Sequence, residues 1–78
     1  MSKIKGWKKA YEFKNSIKYF NINKPGLETR IRHYKNWDVW KVEIDDWSLG
    51  GLHLAGIFKT KQAALRAAYA WMKKHPRG

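Results

Sequence analysis

Residues 27 to 44 read LETRIRHYKNWDVWKVEI, and the fold follows from how this stretch divides. Apolar and polar residues alternate on both sides of Lys35-Asn36, and the apolar places are rich in β-branched and aromatic side chains. That is the pattern of two half-buried strands. The spacing predicts strands over Leu27 to Tyr34 and Trp37 to Ile44, joined tightly around Lys35-Asn36. Side chains alternate across a strand, so Leu27 and Ile31 on the first and Trp40, Val42 and Ile44 on the second share an apolar inner face. Arg30, Arg32 and Tyr34, with Trp37 and Lys41, then share a cationic, aromatic outer face.

Towards the C-terminus, Asp45, Asp46, Ser48, Gly50 and Gly51 read as a loop and Leu52 to Phe58 as a third strand. Thr60 is a good helix N-cap, and Lys61 to Lys74 is built almost entirely of strong helix formers. Leu65, Ala68, Trp71 and Met72 are its expected buried stripe. Lys73, Lys74 and His75 oppose the negative end of the helix dipole, and Pro76 stops the helix. Towards the N-terminus, Pro25-Gly26 marks a turn. Tyr11, Phe13, Ile17 and Tyr19 fall on one parity, which favours strand, broken at Asn15-Ser16. Phe13, Ile17 and Phe20 also fit a helical stripe, so an N-terminal helix is the alternative. Residues 1 to 10 read as a basic, mobile arm and residues 11 to 75 as one domain. The expected architecture is α+β: a small antiparallel sheet of three to five strands with one C-terminal helix packed on one face.

A chain of 78 residues supports one hydrophobic core. Its 17 Lys and Arg against six Asp and Glu give a net charge of +11. Self-repulsion of that size destabilises a compact state, and the natural compensation is an anionic partner. Adaptation to high temperature would raise Glu together with Lys, and acids are scarce here. There is no cysteine, and His33, His53 and His75 are too scattered for a zinc site, so neither a metal nor a cofactor is expected. No signal sequence or membrane span is legible, which leads us to expect an intracellular protein, cytoplasmic or nucleoid-associated. Adjacent acids such as Asp45-Asp46 are the ordinary content of a solvated turn, and Gly50-Gly51 lacks the spacing of a phosphate-cradling loop. No catalytic residue is therefore assigned and no enzyme expected.

Twelve aromatic residues are more than so small a core can hide. Trp40, Phe58 and Trp71, with one or two of Tyr11, Phe13 and Phe20, can fill it. Tyr34 and Trp37 are then left partly exposed, with Trp7, Tyr19 and Trp47 next in line. Rings interleaved with guanidinium and ammonium groups suit nucleic acid, because the planes stack on bases while the charges take phosphates. The expected binding set is Arg30, Arg32, Tyr34, Trp37 and Lys41 on the sheet, with Lys3, Lys5, Lys8 and Lys9 on the arm.

Two segments extend this reading. WDVWKVEI, residues 37 to 44, resembles the second-strand motif of the plant ethylene-response-factor type of DNA-binding domain, also found in some integrases and homing nucleases. AGIFKTKQAALRAAY, residues 55 to 69, is similar to the passage from third strand to helix in that family. The resemblance spans roughly residues 27 to 73. It implies a three-stranded sheet that enters the DNA major groove, with Arg30 and Trp37 as contacts, His33 and Lys35 at further contact positions, and Gly56, Phe58 and Ala64 as packing residues. The family's Arg after the Glu-Ile pair is Asp45 here, and Leu52 and Leu54 stand where its third strand offers Arg and Trp. These departures bear on sequence-specific readout. KTKQAALRAAY is also similar to the start of the last helix of double-stranded-RNA-binding domains, but that family's approach loop is missing.

The expected partner is thus nucleic acid, DNA before RNA. The competing class is a small protein-interaction module that grips an acidic surface or the nucleic-acid channel of another protein. A membrane-surface role is remote, because the apolar face of the helix is needed by the sheet.

Overall fold

The computed structural model describes residues 4 to 47 and 50 to 77. Five strands, β1 (Trp7–Phe13), β2 (Ser16–Asn21), β3 (Leu27–Tyr34), β4 (Val39–Asp46) and β5 (Gly51–Phe58), precede one helix, α1 (Lys61–Lys74). The strands form one antiparallel sheet in the order β1-β2-β3-β4-β5, so every neighbour in sequence is a neighbour in space. The architecture is α+β with a small antiparallel sheet and one C-terminal helix.

Register fixes the faces. Ile31 lies between Ile17 and Val42, and Thr29 between Tyr19 and Ile44, all on the side covered by α1. From the helix, Ala64, Ala68 and Met72 are fully buried, while Leu65, Tyr69 and Trp71 pack at the margins. Two alanines four residues apart let the helix axis approach the sheet, and Met72 fills the remaining depth. Leu65 and Trp71 of the expected stripe are thus flanking residues, and Ala64 takes the central place. Thr60 caps the helix as its spacing predicts, its hydroxyl accepting from the Ala63 amide at 3.1 Å.

Several boundaries differ from the sequence reading. The β3–β4 connection is a four-residue loop, Lys35 to Asp38, with Asp38 at φ 48°, a left-handed conformation that Asp tolerates better than most residues. The second strand consequently starts at Val39, and Trp37 stands at the loop tip. At its other end the strand absorbs Asp45 and Asp46, which pair with Leu52 and Gly51 and are not loop residues. Ser48 of the expected loop lies outside the described residues. Residues 7 to 21 form a hairpin, and no N-terminal helix forms. A bulge between Lys9 and Tyr11 flips parity, which sends Tyr11 and Phe13 to the open face while Ile17 and Tyr19 stay under the helix.

The expected mobile arm is part of the fold from Ile4 onward, because Ile4 and Trp7 are buried. Trp7 donates through Nε1 to the His75 carbonyl at 2.9 Å and meets the Trp71 ring edge-on at 5.8 Å. Asn21 and Asn23 donate to the Pro76 carbonyl at 3.2 and 3.1 Å. The start of β1, the end of β2 and the loop after it therefore clasp the tail that follows α1. Tyr19, expected among the exposed rings, is likewise buried. Burial first, and then its hydrogen bond with Tyr69, push its hydroxyl above the ordinary 10.0, so it remains neutral.

One buried polar atom is a liability. Thr29 is fully buried, and its Oγ1 has no hydrogen-bond partner among the described residues. Thr29→Val keeps the shape and removes the desolvated hydroxyl. It is expected to raise stability by about 1 kcal/mol, read as a higher urea midpoint at unchanged slope.

Candidate nucleic-acid interface

The face of the sheet away from α1 is organised in rows across the strands. Register aligns Phe13, Ser16, Arg32, Lys41 and Ile57 in one row and Tyr11, Lys18, Arg30, Glu43 and Leu54 in the next. A third row runs from Lys8 through Phe20, Glu28 and Asp45 towards β5. The predicted outer residues Arg30, Arg32, Tyr34 and Lys41 do share this face. Their neighbours change its meaning.

The centre of the face is neutralised internally. Arg30 stands between Glu28 at 3.5 Å and Asp45 at 3.7 Å, and Lys18 pairs with Glu28 at 3.0 Å. Arg32 lies 3.8 Å from Glu43, whose side chain is nearly buried. Arg30 is thus committed to carboxylates on both sides, and its Nε is buried without a partner among the described residues. Releasing it to a base would leave Glu28 and Asp45 facing the same polyanion. The acids were findable in the sequence, because the alternation that sends Arg30 outward also sends out Glu28, Glu43 and Asp45.

The free cationic and aromatic groups gather at one end, around the β3–β4 loop. Lys41 Nζ sits 4.1 Å from the centroid of the Tyr34 ring and 5.5 Å from that of Trp37, and the Arg32 guanidinium carbon 5.6 Å from Tyr34. These stacked contacts hold the side chains in a fixed order, each contributing about 0.5–1 kcal/mol when exposed. Trp37 is 68% exposed and Phe13, in the Arg32 row, 65%. Lys35 is exposed in the loop, and Lys14 in the β1–β2 turn beside it, since Asn15 accepts from the His33 amide. The one acid on β1, Glu12, is occupied: a hydrogen bond from Lys9 and its charge hold the Glu12 carboxyl below the ordinary carboxylate range.

Other predicted site residues fall elsewhere. His33 points to the helix side, lies tilted by 35° against the Trp40 ring with centroids 4.9 Å apart, and meets the Asp38 carboxylate through Nε2 at 2.9 Å, so it orients the loop and takes no place on the open face. Lys8 is on the open face but in the far row, opposite Phe20, and Lys5 precedes it, so neither joins the tip. Lys9 is engaged by Glu12. Lys3 lies outside the described residues. Phe13, Ile57 and Lys14 were missed, because their place depends on strand register and on the bulge.

An open pocket of about 270 Å³ lies at the opposite end of the helix side, lined by Ile44, Asp46, His53, Ala55 and Trp71. Its one carboxylate pairs with Lys24 at 3.1 Å. Among the described residues no group of three His, Asp or Glu side chains could hold a metal, and no helix is long and apolar enough to cross a membrane.

No family model, curated protein or solved structure matches the chain. The resemblance to the ethylene-response-factor domains therefore stands on the quoted residues alone.

Proposed function

We propose that the protein binds nucleic acid, with DNA as its target, through the loop end of the open sheet face. The observation that carries this reading is the Trp37–Lys41–Tyr34–Arg32 stack, in which a largely exposed indole stands beside cations that no carboxylate fully satisfies. Lys14, Arg32, Lys35 and Lys41 take phosphates, and Trp37 and Phe13 offer ring faces to bases. The ion-paired centre of the sheet contributes shape and leaves sequence readout weak, because Arg30 is held by its carboxylates.

Titration of tryptophan fluorescence with matched single-stranded DNA, duplex DNA and duplex RNA tests the reading. DNA is expected to quench an exposed indole and to bind more tightly than RNA. Binding without quenching would remove Trp37 from the contact. A protein partner that survives nuclease digestion in a pull-down, with no DNA retention by the purified chain, would replace this function with a protein-interaction role.

A further inference from the structure

Helix α1 presents a second charged surface that the proposed site does not use. All six acids lie at or before Asp46, whereas residues 47 to 78 hold Lys59, Lys61, Arg66, Lys73, Lys74 and Arg77 and no acid. The +11 thus divides into +5 over residues 1 to 46, eleven cations less six acids, and +6 over the rest. Ion pairs among the described residues draw their cations from the sheet and its loops, and none uses a cation of α1 or Arg77.

These cations are also ordered. Gln62, Arg66, Ala70 and Lys73 follow at steps of three and four and are all exposed, so they form one stripe on the side of α1 away from Ala64, Ala68 and Met72. Lys74 continues it at the end of the helix. Arg66 and Lys73 are two turns apart, about 10 Å. Ala63 and Ala70 flank Arg66 and the uncharged Gln62 lies one turn before it, so no acid keeps an approaching strand from the helix there.

Helix stability alone does not explain the arrangement. The first turn holds Lys61 and no acid, although the dipole favours carboxylates there. No Glu or Asp stands at i±3 or i±4 of any cation of the helix, so the usual stabilising pairs are missing. Lys73 and Lys74 suit the C-terminal end of the dipole, but Arg66 in the middle gains nothing from it. Arg66, Lys73 and Lys74 thus have no ion-pair partner among the described residues.

We infer that the solvent face of α1 is a second site for a nucleic-acid backbone, so that one molecule bridges two segments of nucleic acid, one on each side of the sheet. This rests on the proposed binding at the loop end and extends it from holding to cross-linking. The two sites differ in chemistry. Tyr69 and Trp71 pack against the core, which leaves the α1 face cations, methyl groups and the Gln62 amide without an exposed ring. It takes phosphates and reads no bases. Geometry permits both sites to be filled together: the thinnest extent of the molecule is 20 Å, more than two screening lengths of about 8 Å at physiological salt. Two bound segments therefore repel each other little.

The test is capture of a fluorescent DNA by the same DNA fixed to beads, run once with single strands and once with duplexes, with added protein. The wild-type chain is expected to hold the fluorescent DNA on the beads. A variant carrying Arg66→Gln, Lys73→Gln and Lys74→Gln should still bind one DNA with less than threefold loss at the loop-end site and lose at least tenfold in capture. Gln is as good a helix former as the residues it replaces, and unchanged circular dichroism verifies the fold. Capture by the variant equal to wild type, or binding by the wild type that saturates with one DNA and captures none, overturns the bridging site while leaving the loop-end site intact. Failure of the wild-type chain to bind any DNA overturns both.

Discussion

Trp37→Ala is expected to weaken DNA binding about ten- to a hundredfold while leaving the folded state as stable as before. Stacking of one base on an aromatic ring contributes about 1–3 kcal/mol by alanine substitution, and 1.4 kcal/mol is a factor of ten. Trp37 is 68% exposed, and its ring contact within the chain is the Lys41 ammonium 5.5 Å away, so folding loses almost nothing when it is removed. Trp47 provides the control. It is more exposed still, at 77%, but stands at the other end of β4, away from the stack. Trp47→Ala should change affinity less than twofold. Anisotropy titrations of both variants at one salt concentration, with thermal melts alongside, separate the cases. Equal losses for the two would show that any exposed indole adheres to DNA and that the loop end is no site.

The largest effect on stability is expected at Gly6. Its φ is +82°, and a Cβ there would sit 1.9 Å from the Pro76 carbonyl oxygen, backbone against backbone. Ala in a left-handed conformation costs about 1–2 kcal/mol. Relief of the clash must also displace the tail, breaking the bonds from Trp7 Nε1 to His75 and from Asn21 and Asn23 to Pro76. Each is a net contribution of about 0.5–1.5 kcal/mol. Gly6→Ala should therefore lose about 3 kcal/mol or more, a large share of the roughly 4–12 kcal/mol expected for a domain of this length. Gly50 has a similar φ of +89° and, among the described residues, nothing within 4 Å of its Cβ position, so Gly50→Ala isolates the conformational part. Urea unfolding of the two variants measures the clasp by difference. If Gly6→Ala costs no more than Gly50→Ala, the clasp contributes nothing.

What was legible in the sequence is what local pattern controls. Thr60, the alanines and Pro76 bound α1 correctly, because capping and helix propensity act over a few residues. The alternation of residues 27 to 34 put Leu27, Ile31 and Arg30 on their observed faces for the same reason. Misreadings arose where pairing between distant residues decides. A two-residue turn at Lys35-Asn36 became a four-residue loop once β4 aligned with β3 over Val39 to Asp46, and Trp37 moved from strand to tip. Ile4 and Trp7 look like part of a basic arm among Lys5, Lys8 and Lys9, but both are buried in the core, where Trp7 meets Trp71 of the helix and bonds to the tail at His75.

The site was half legible for a related reason. Cations are conspicuous in a chain of +11, whereas their neutralisation depends on cross-strand neighbours. Arg30 and Arg32 read alike in the sequence, yet Arg30 is flanked by two carboxylates and Arg32 lies beside an exposed stack. The free charge consequently sits at the loop end, where Asp38 is engaged by His33, and on α1, which carries no acid.

The central claim, that the loop end holds a nucleic-acid backbone through its cations, is tested most directly by DNA affinity as a function of salt. Four neutralised phosphates, one each for Lys14, Arg32, Lys35 and Lys41, predict that log K falls against log salt with a slope of about −3.6 for duplex DNA between roughly 50 and 200 mM. A flat dependence, or no retention of DNA at about 50 mM salt, would contradict it.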